Sequence, residues 1–186
     1  IVLAAERDEL GINAGFMDRV IQVYGGCVYM DLNMEEVDRT GRGSYMKLDP
    51  GLVPPLYRAY KPVLGKVSGT VLNPIRLAYD SGDRHTHETL ERIAAIAEEG
   101  KDVLLRGDHD RLFHLMNENF DCRSRIMPIS RSNMEMVEAA RRCGASAKFA
   151  GSGGAIIGMY RSDGMYENLV SALSRLDAVV IKPDIG

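Results

Sequence analysis

Apolar residues beyond residue 70 recur at helical spacing in several blocks, and short β-type runs lie between and after the later blocks. The helical blocks begin at Asn73-Pro74 and then lie at about 90–97, 112–120, 134–140 and 166–176. The β-type runs are Ala147–Ala150, Ala155–Tyr160 and Ala178–Ile181. Stripes at this spacing form the apolar faces of helices, and we expect Gly100 to end or bend the second one. Helices that alternate with a few strands predict an α+β fold with a small sheet.

The first sixty residues predict a smaller part with its own organisation. A helix is expected from about Gly15 to Tyr24, where the glycine pair Gly25-Gly26 ends it. Strands are predicted at Cys27–Leu32, at Tyr45–Leu48 and after Pro55, with a polar, turn-like stretch over 35–43. The segment Lys61–Thr70 contains proline and glycine and is predicted to be a loop between two parts. The predicted domains are therefore 1–60 and 61–186.

Composition argues against several classes of partner. The 186 residues carry a net charge of −3 and a pI of about 5.8, which indicates neither a nucleic-acid nor a membrane partner. Small anionic substrates stay possible, because a local basic site does not require a basic protein. Cys27, Cys122 and Cys143 are odd in number and far apart, which favours reduced thiols in a cytoplasmic protein. His85 and His87 are more typical of a solvated helix start than of structural zinc, which needs about four ligands.

Two acidic residues, Glu6 and Asp18, flank a glycine-containing turn. The apolar spacing after Asp18 places it in the first turn of the predicted helix. A carboxylate there faces unpaired backbone N–H groups and the positive end of the helix dipole. Spacing alone leaves two interpretations of Asp18: an acid that caps the helix, or a group that accepts a proton or holds a cation.

A second motif, Gly151-Ser-Gly-Gly154, joins two of the predicted strands. Glycine adopts positive φ and lets the backbone approach a ligand, so such a loop can direct N–H groups at phosphate oxygens. A tight β-turn uses the same residues, and the motif matches neither the P-loop nor the dinucleotide-binding fingerprint. The nearby Lys148 is either a surface residue or one that holds this loop in place.

Taken together, the two motifs resemble those of the GHMP kinases. The similarity joins Glu6, Gly15-Phe-Met-Asp18-Arg and Gly25-Gly26 to the segment Gly144-Ala-Ser-Ala-Lys-Phe-Ala-Gly-Ser-Gly-Gly154. Within this superfamily the chain looks most like the glucuronokinases, through segments 18–31, 52–57, 107–113 and 136–144. The resemblance implies the end of a GHMP kinase N-terminal domain, of the ribosomal protein S5 domain 2-like type, followed by a ferredoxin-like C-terminal GHMP domain. It also implies ATP-dependent phosphorylation of the anomeric hydroxyl of a sugar or uronic acid, with glucuronate giving glucuronate 1-phosphate.

The same resemblance implies roles for the two acids. In such kinases an aspartate at the position of Asp18 lies beside the acceptor hydroxyl, where it acts as a base or orients that group. A glutamate like Glu6 helps to hold Mg²⁺ on the ATP phosphates, so ATP and Mg²⁺ are the implied cofactors. The glycine turn corresponds to the third motif of the family, and Ser152 and Gly153 are expected nearest the transferred phosphate.

Gly15 and Arg19 lie in the segment that the resemblance assigns to substrate binding. Arg19 stands where galactokinase-like members usually carry glutamine. Its guanidinium can bind the carboxylate of a uronic acid through two hydrogen bonds. The equally open alternative is a salt bridge between Arg19 and a neighbouring acid, Asp8 or Glu9.

The ATP-binding loop of this superfamily, of the type Pro-x-x-x-Gly-Leu-x-Ser-Ser-Ala, has no counterpart in the sequence. We therefore expect a C-terminal portion of a kinase that is inactive alone and needs an N-terminal half as its partner. The apolar start Ile1-Val-Leu3 is expected to be covered by that half. Two alternatives stay open: another GHMP kinase, of the galactokinase, arabinokinase or heptose kinase type, and a catalytically silent GHMP-fold binding module.

Overall fold

The computed structural model of the protein describes residues 15–62 and 68–185. These residues belong to two compact units that divide between Val53 and Pro54. The smaller unit precedes this point and also includes Asp184 and Ile185, and the larger unit is Pro54–Pro183.

The smaller unit contains α1 (Phe16–Tyr24), β1 (Cys27–Asp31), α2 (Met34–Thr40) and β2 (Ser44–Leu48). The two strands pair antiparallel, with Cys27 opposite Leu48 and Asp31 opposite Ser44. A short 3₁₀ turn, Pro50–Leu52, follows the second strand. The helix predicted from Gly15 to Tyr24 is confirmed as α1, and both predicted strands of this unit are present.

The stretch over 35–43, expected to be turn-like, forms the helix α2 instead. Its start is stabilised by Asn33, whose side-chain oxygen accepts hydrogen bonds from the amides of Glu35 and Glu36 at 3.0 and 3.3 Å. Arg39 lies one turn after Glu36 and pairs with it at 2.6 Å, and Gly41 ends the helix with a φ of 72°. Capping of this kind satisfies backbone donors that a short polar helix would otherwise leave to solvent.

The larger unit contains, in chain order, β3 (Leu56–Tyr60), α3 (Ser68–Asp80), α4 (Arg84–Leu105), α5 (His109–Ile126), α6 (Arg131–Arg142), β4 (Lys148–Phe149), β5 (Ala155–Met159), α7 (Asp163–Ser174) and β6 (Val179–Ile181). Its strands form one antiparallel sheet in the order β4-β5-β3-β6. A chain that passes through β, α, β, β, α and β in this way has the ferredoxin-like arrangement that the resemblance to GHMP kinases implied.

Strand β3 explains where the two units divide. It lies in the interior of the sheet and pairs with both β5 and β6. A central strand cannot be separated from its sheet without breaking hydrogen bonds on both sides, so β3 belongs to the larger unit. The division therefore falls before β3, whereas the sequence placed the boundary after it, at Tyr60.

The core of the larger unit lies between the sheet and its helices. Alternate residues of β3, Tyr57 and Ala59, are fully buried, and Ile156 of β5 lies in the same cluster. The helices supply Phe120, Met136, Val137, Ala140, Leu169 and Leu173. A second cluster, with Ile96, Val103, Leu115 and Cys122, joins α4 to α5. The stripes identified in the sequence therefore form the core.

Two helix bounds differ from the predictions. Helix α3 begins at Ser68 and contains Pro74, whereas the sequence favoured a start at Asn73-Pro74 because an internal proline removes one helical hydrogen bond. Helix α4 continues through Gly100 to Leu105. Gly107, two residues after this end, has a φ of 70°, and the amides of Gly107 and Asp108 donate to the carbonyls of Leu104 and Val103 respectively. This is a Schellman ending, so Gly107 rather than Gly100 stops the helix.

Candidate functional site

The first candidate segment is the start of α1, in the smaller unit. Gly15 is the N-cap residue, and its backbone is extended, with φ −93° and ψ 168°. Any residue can adopt this conformation, and a Cβ added at Gly15 would meet nothing within 4 Å. The local backbone therefore does not require glycine here, and none of the residues that the structure describes fills the space beside it. Asp18 is the third residue of α1 and lies in its first turn, as the sequence predicted.

Asp18 and Arg19 contact each other at this helix start. One guanidinium nitrogen of Arg19, Nη1, lies 3.3 Å from Oδ2 of Asp18. The Asp18 side chain is 82% exposed and that of Arg19 only 22% exposed. A solvent-facing carboxylate thus lies beside a cation that packs against the protein. This arrangement leaves Asp18 accessible to a hydroxyl group of a ligand.

The remaining acids of the first motif, Glu6, Asp8 and Glu9, lie outside the described residues. The predicted metal-binding role of Glu6 and the proposed salt bridge of Arg19 with Asp8 or Glu9 therefore stay predictions. Within residues 15–62 and 68–185, no group of three or more His, Cys, Asp and Glu side chains is placed to hold a metal ion.

His85 and His87 lie in the first turn of α4, where Asp83 caps the helix through the amide of Thr86 at 2.8 Å. The ring of His87 stacks on that of Tyr79, with centroids 4.0 Å apart. His87 Nε2 also lies 2.9 Å from the carbonyl oxygen of Tyr79. Both histidines thus belong to a helix start, in agreement with the sequence interpretation.

The second candidate segment is the glycine turn Gly151–Gly154, which joins β4 to β5 in the larger unit. The turn is closed at its base by the amide of Ala150, which donates to the carbonyl of Ala155 at 3.0 Å. Gly153 and Gly154 have φ values of 132° and 78°, a region that L-amino acids with side chains rarely adopt. The backbone of this turn therefore requires glycine at these two positions, unlike the helix start at Gly15.

Asn133, near the start of α6, holds the glycine turn from one side. Its Oδ1 accepts a hydrogen bond from the Gly154 amide at 3.0 Å. A Cβ added at Gly153 would lie 2.9 Å from Nδ2 of Asn133, so the side chain occupies the space left by the glycine. The carbonyl of Gly154 accepts from the amide of Lys61 at 3.2 Å. The Gly154 amide is thus used within the protein, and Gly154 serves to close the turn.

Arg123 and Lys148 bring two positive charges to the same turn. Arg123 Nη2 donates to the Gly151 carbonyl at 2.9 Å, and the guanidinium carbon lies 5.7 Å from the centre of the Phe149 ring. Lys148 Nζ donates to the Phe149 carbonyl at 3.0 Å. Burial, together with the nearby Arg123, lowers the pKa of Lys148 to about 8, and burial also lowers the pKa of Arg123. Lys148 is therefore a half-buried residue that contacts the base of the turn.

Sequence reasoning did not identify Arg123 or Asn133. Both lie far from the turn along the chain. Arg123 precedes its hydrogen-bond partner Gly151 by 28 residues, and Asn133 precedes its partner Gly154 by 21 residues. No motif or spacing marks them, because α5 and α6 bring them to the turn only through tertiary packing. Asp18 and the glycine turn lie in different units.

None of the helices in the described part of the chain combines the length and the apolar character needed to cross a lipid bilayer.

Sequence comparisons relate the chain to known proteins. Residues 101–178 match the family described as GHMP kinases C terminal. The chain is 46% identical over 160 residues to Glucuronokinase 1 of Arabidopsis thaliana, covering 84% of this chain and 44% of that relative. It is 44% identical over 161 residues to Probable glucuronokinase 2 of the same plant, covering 84% and 43%. The chain thus spans less than half the length of these curated relatives.

Structural comparisons relate the fold to two solved kinases. The structure of L. major mevalonate kinase in complex with R-mevalonate matches with a TM-score of 0.72 at 18% identity, covering 94% of this chain and 55% of the other. The structure of Lactococcus lactis galactokinase complexed with galactose matches with a TM-score of 0.68 at 16% identity, covering 98% and 57%. At this level of identity the likeness concerns the fold.

Proposed function

We propose that this chain, which carries a GHMP kinase C-terminal domain and is glucuronokinase-like in sequence, forms part of a kinase that phosphorylates the anomeric hydroxyl of a sugar acid. The observation that carries the proposal is the 46% identity to a glucuronokinase over 160 residues. Glucuronate is the proposed acceptor and glucuronate 1-phosphate the proposed product. Because the chain spans 44% of that relative, the activity is proposed for the chain together with further protein.

Asp18 is the proposed catalytic residue of this part. In the transfer, the anomeric oxygen forms a bond to the γ-phosphorus of ATP, the bond from that phosphorus to the β,γ-bridging oxygen breaks, and ADP leaves with the electron pair. Asp18 acts in this step as the base that takes the proton of the attacking hydroxyl, or as the group that orients it. Its 82% exposed carboxylate in the first turn of α1 supports this role, because a ligand can reach it.

The glycine turn is the proposed phosphate-proximal element. ATP would supply the phosphoryl group, and a Mg²⁺ ion, for which Glu6 is the proposed ligand, would neutralise phosphate charge. Gly151, Ser152 and Gly153 are the turn residues proposed to lie nearest the phosphates. Gly151 leaves the backbone free of a Cβ where a phosphate would approach, whereas the Asn133 side chain fills the space beside Gly153. The cations Arg123 and Lys148 at the base of the turn fit an anionic group.

The proposed partner is an N-terminal portion that carries the ATP-binding loop. The smaller unit is proposed to be the remaining part of the GHMP kinase N-terminal domain to which that portion belongs. Cys27, Cys122 and Cys143 are free thiols, which supports a cytoplasmic location. The substrate is proposed to be a small sugar or sugar acid rather than a nucleic acid or a lipid. Supplying the N-terminal portion is therefore part of each activity experiment below.

The proposal is tested by measuring ADP release from the chain combined with its N-terminal portion. The acceptor panel is glucuronate, glucose, galactose, arabinose and a heptose. We expect glucuronate to give the highest kcat/KM, by at least about tenfold, and a product that lacks a reducing end. If another sugar has the highest kcat/KM, the proposed assignment changes from glucuronokinase to another type of GHMP kinase. No phosphorylation of any sugar, with ATP still bound, would instead indicate a silent binding module.

Arg19 is the residue proposed to bind the carboxylate of the uronate and thereby to favour this acceptor over neutral sugars. Arg19 contacts Asp18, so a sugar whose hydroxyl reaches Asp18 places its other substituents near this guanidinium. A hydrogen bond to a charged group contributes about 1.5–3 kcal/mol. We therefore expect Arg19→Gln to lower the preference for glucuronate over glucose by about 10- to 100-fold in kcat/KM.

The preference ratio is the measured quantity because a disturbance of Asp18 affects both acceptors equally and cancels. Arg39→Gln is the matched control, since Arg39 also pairs with an acid but is 71% exposed on α2. An unchanged ratio in Arg19→Gln would show that Arg19 serves only as a structural ion-pair partner.

A further inference from the structure

The base of the glycine turn carries an imbalance of charge. Arg123 and Lys148 approach the same short segment from two elements, α5 and β4, and contact the carbonyls of Gly151 and Phe149. Elsewhere in this unit, half-buried arginines face carboxylates: Arg141 pairs with Asp121 at 2.8 Å, and Arg111 with Glu99 at 2.6 Å. Among the described residues, no carboxylate forms an ion pair with Arg123 or Lys148.

Placing two like charges together away from water is costly. Burial disfavours the charged form of each group, and each charge raises the cost of the other. The lowered pKa of Lys148 has both of these causes, burial and the adjacent guanidinium. The hydrogen bonds to the carbonyls of Gly151 and Phe149 offset only part of this free-energy cost, because a carbonyl carries no net charge. An anion at this position would neutralise the pair, as Asp121 neutralises Arg141.

We propose that Arg123 and Lys148 form an oxyanion subsite at the base of the glycine turn, taking a phosphate or a carboxylate group of the bound reactants. The inference rests on the proposed kinase function for the source of the oxyanion. Arg123 presents a planar guanidinium suited to two oxygens at once, and Lys148 presents a compact charge. Both side chains are half-buried, so each keeps a surface that a ligand can reach.

The arrangement of the turn supports an approach from this side. Among the described residues, no atom lies within 4 Å of a Cβ added at Gly151. Asn133 holds the end of the turn through the Gly154 amide and fills the space at Gly153. The turn is thus held on one side by Asn133 and bordered by two cations at its base.

The subsite is tested by calorimetric titration of this chain, without turnover, with tripolyphosphate, glucuronate and glucose as probes. We expect Arg123→Gln and Lys148→Met each to weaken binding of one charged probe by about tenfold or more. The probe that is affected identifies the source: tripolyphosphate for a nucleotide phosphate, glucuronate for the sugar carboxylate. Glucose binding is expected to stay unchanged in both variants.

Two controls separate the subsite from a structural role of the same side chains. Arg125→Gln removes an exposed arginine two residues further along α5, and Lys47→Met removes an exposed lysine of β2. Both controls are expected to bind like the unmodified chain. Lys148→Met is expected to raise the thermal unfolding midpoint, because it removes a half-buried charge, whereas a purely structural lysine would lower it when lost. If Lys148→Met does not fold, Arg123→Gln and Arg123→Lys carry the test.

The subsite is overturned if the unmodified chain binds neither charged probe, or if folded Arg123→Gln and Lys148→Met bind both probes as the unmodified chain does. These outcomes are independent of the acceptor panel, because they require no phosphoryl transfer. A chain that fails to phosphorylate any sugar yet binds tripolyphosphate through Arg123 would retain the subsite and lose the kinase function.

Discussion

Asp18→Asn is expected to lower kcat of the chain combined with its N-terminal portion by about 10²- to 10⁴-fold, the usual contribution of a positioned general base. Asparagine has nearly the same shape as aspartate but cannot take the proton of the acceptor hydroxyl. Asp18 is 82% exposed, so the substitution removes no core contact. The lost interaction with the helix dipole costs only about 0.3–1 kcal/mol. The expected variant is therefore folded and inactive.

Stability and turnover are measured on the same preparation to separate the two interpretations of Asp18. If Asp18 only caps the helix, Asp18→Asn lowers the unfolding free energy slightly and leaves turnover intact. If Asp18 is catalytic, the same substitution abolishes turnover with little change in stability. Asp38→Asn is the control, because Asp38 is an exposed aspartate on α2 of the same unit. Turnover near the normal level in Asp18→Asn would remove the catalytic assignment and leave the capping role.

Local patterns were sufficient to predict most elements of the fold. The helix at Phe16–Tyr24, the strand after Pro55 and the α+β alternation all follow from apolar spacing and from glycine and proline positions. The resemblance to GHMP kinases, drawn from two glycine-containing motifs, is confirmed by the family match and the glucuronokinase relatives. Helix α2 was missed because it has no apolar stripe and depends on the side chain of Asn33 for its start.

Contacts between distant residues were not predictable from local patterns. The sequence placed β3 before the domain boundary, because nothing in Leu56–Tyr60 shows that it will pair on both edges. The glycine turn was identified from its composition, but Asn133 and Arg123 reach it only through the packing of α5 and α6. The role of Lys148 stayed open for the same reason, since its burial is a tertiary property. Residue type can indicate a site, whereas its supporting side chains depend on the complete fold.

Substitution of Gly158 is a direct test of how β5 packs against Ser146 and Tyr57. Gly158 lies in β5, and a Cβ built there would overlap the carbonyl oxygen of Ser146 and lie 2.8 Å from Cε1 of Tyr57. Neither neighbour moves easily, because both are fully buried. The Tyr57 hydroxyl donates to the Ser146 carbonyl at 2.8 Å, and the amide and hydroxyl of Ser146 both bond to the backbone of Met159. A shift of Ser146 would therefore break several buried hydrogen bonds at once.

Gly158→Ala is accordingly expected to lower the unfolding free energy by more than about 3 kcal/mol, beyond the range of ordinary overpacking in a core that can adjust. The measurement is the denaturant midpoint of unfolding. Gly164→Ala is the matched control, because Gly164 is an exposed residue of α7 with nothing within 4 Å of an added Cβ. Alanine favours a helix over glycine by up to about 1 kcal/mol, so the control should be slightly stabilised. A loss below about 1 kcal/mol in Gly158→Ala would mean that the segment before β4 does not pack against β5 as described, and the glycine turn between these strands would lose its structural basis.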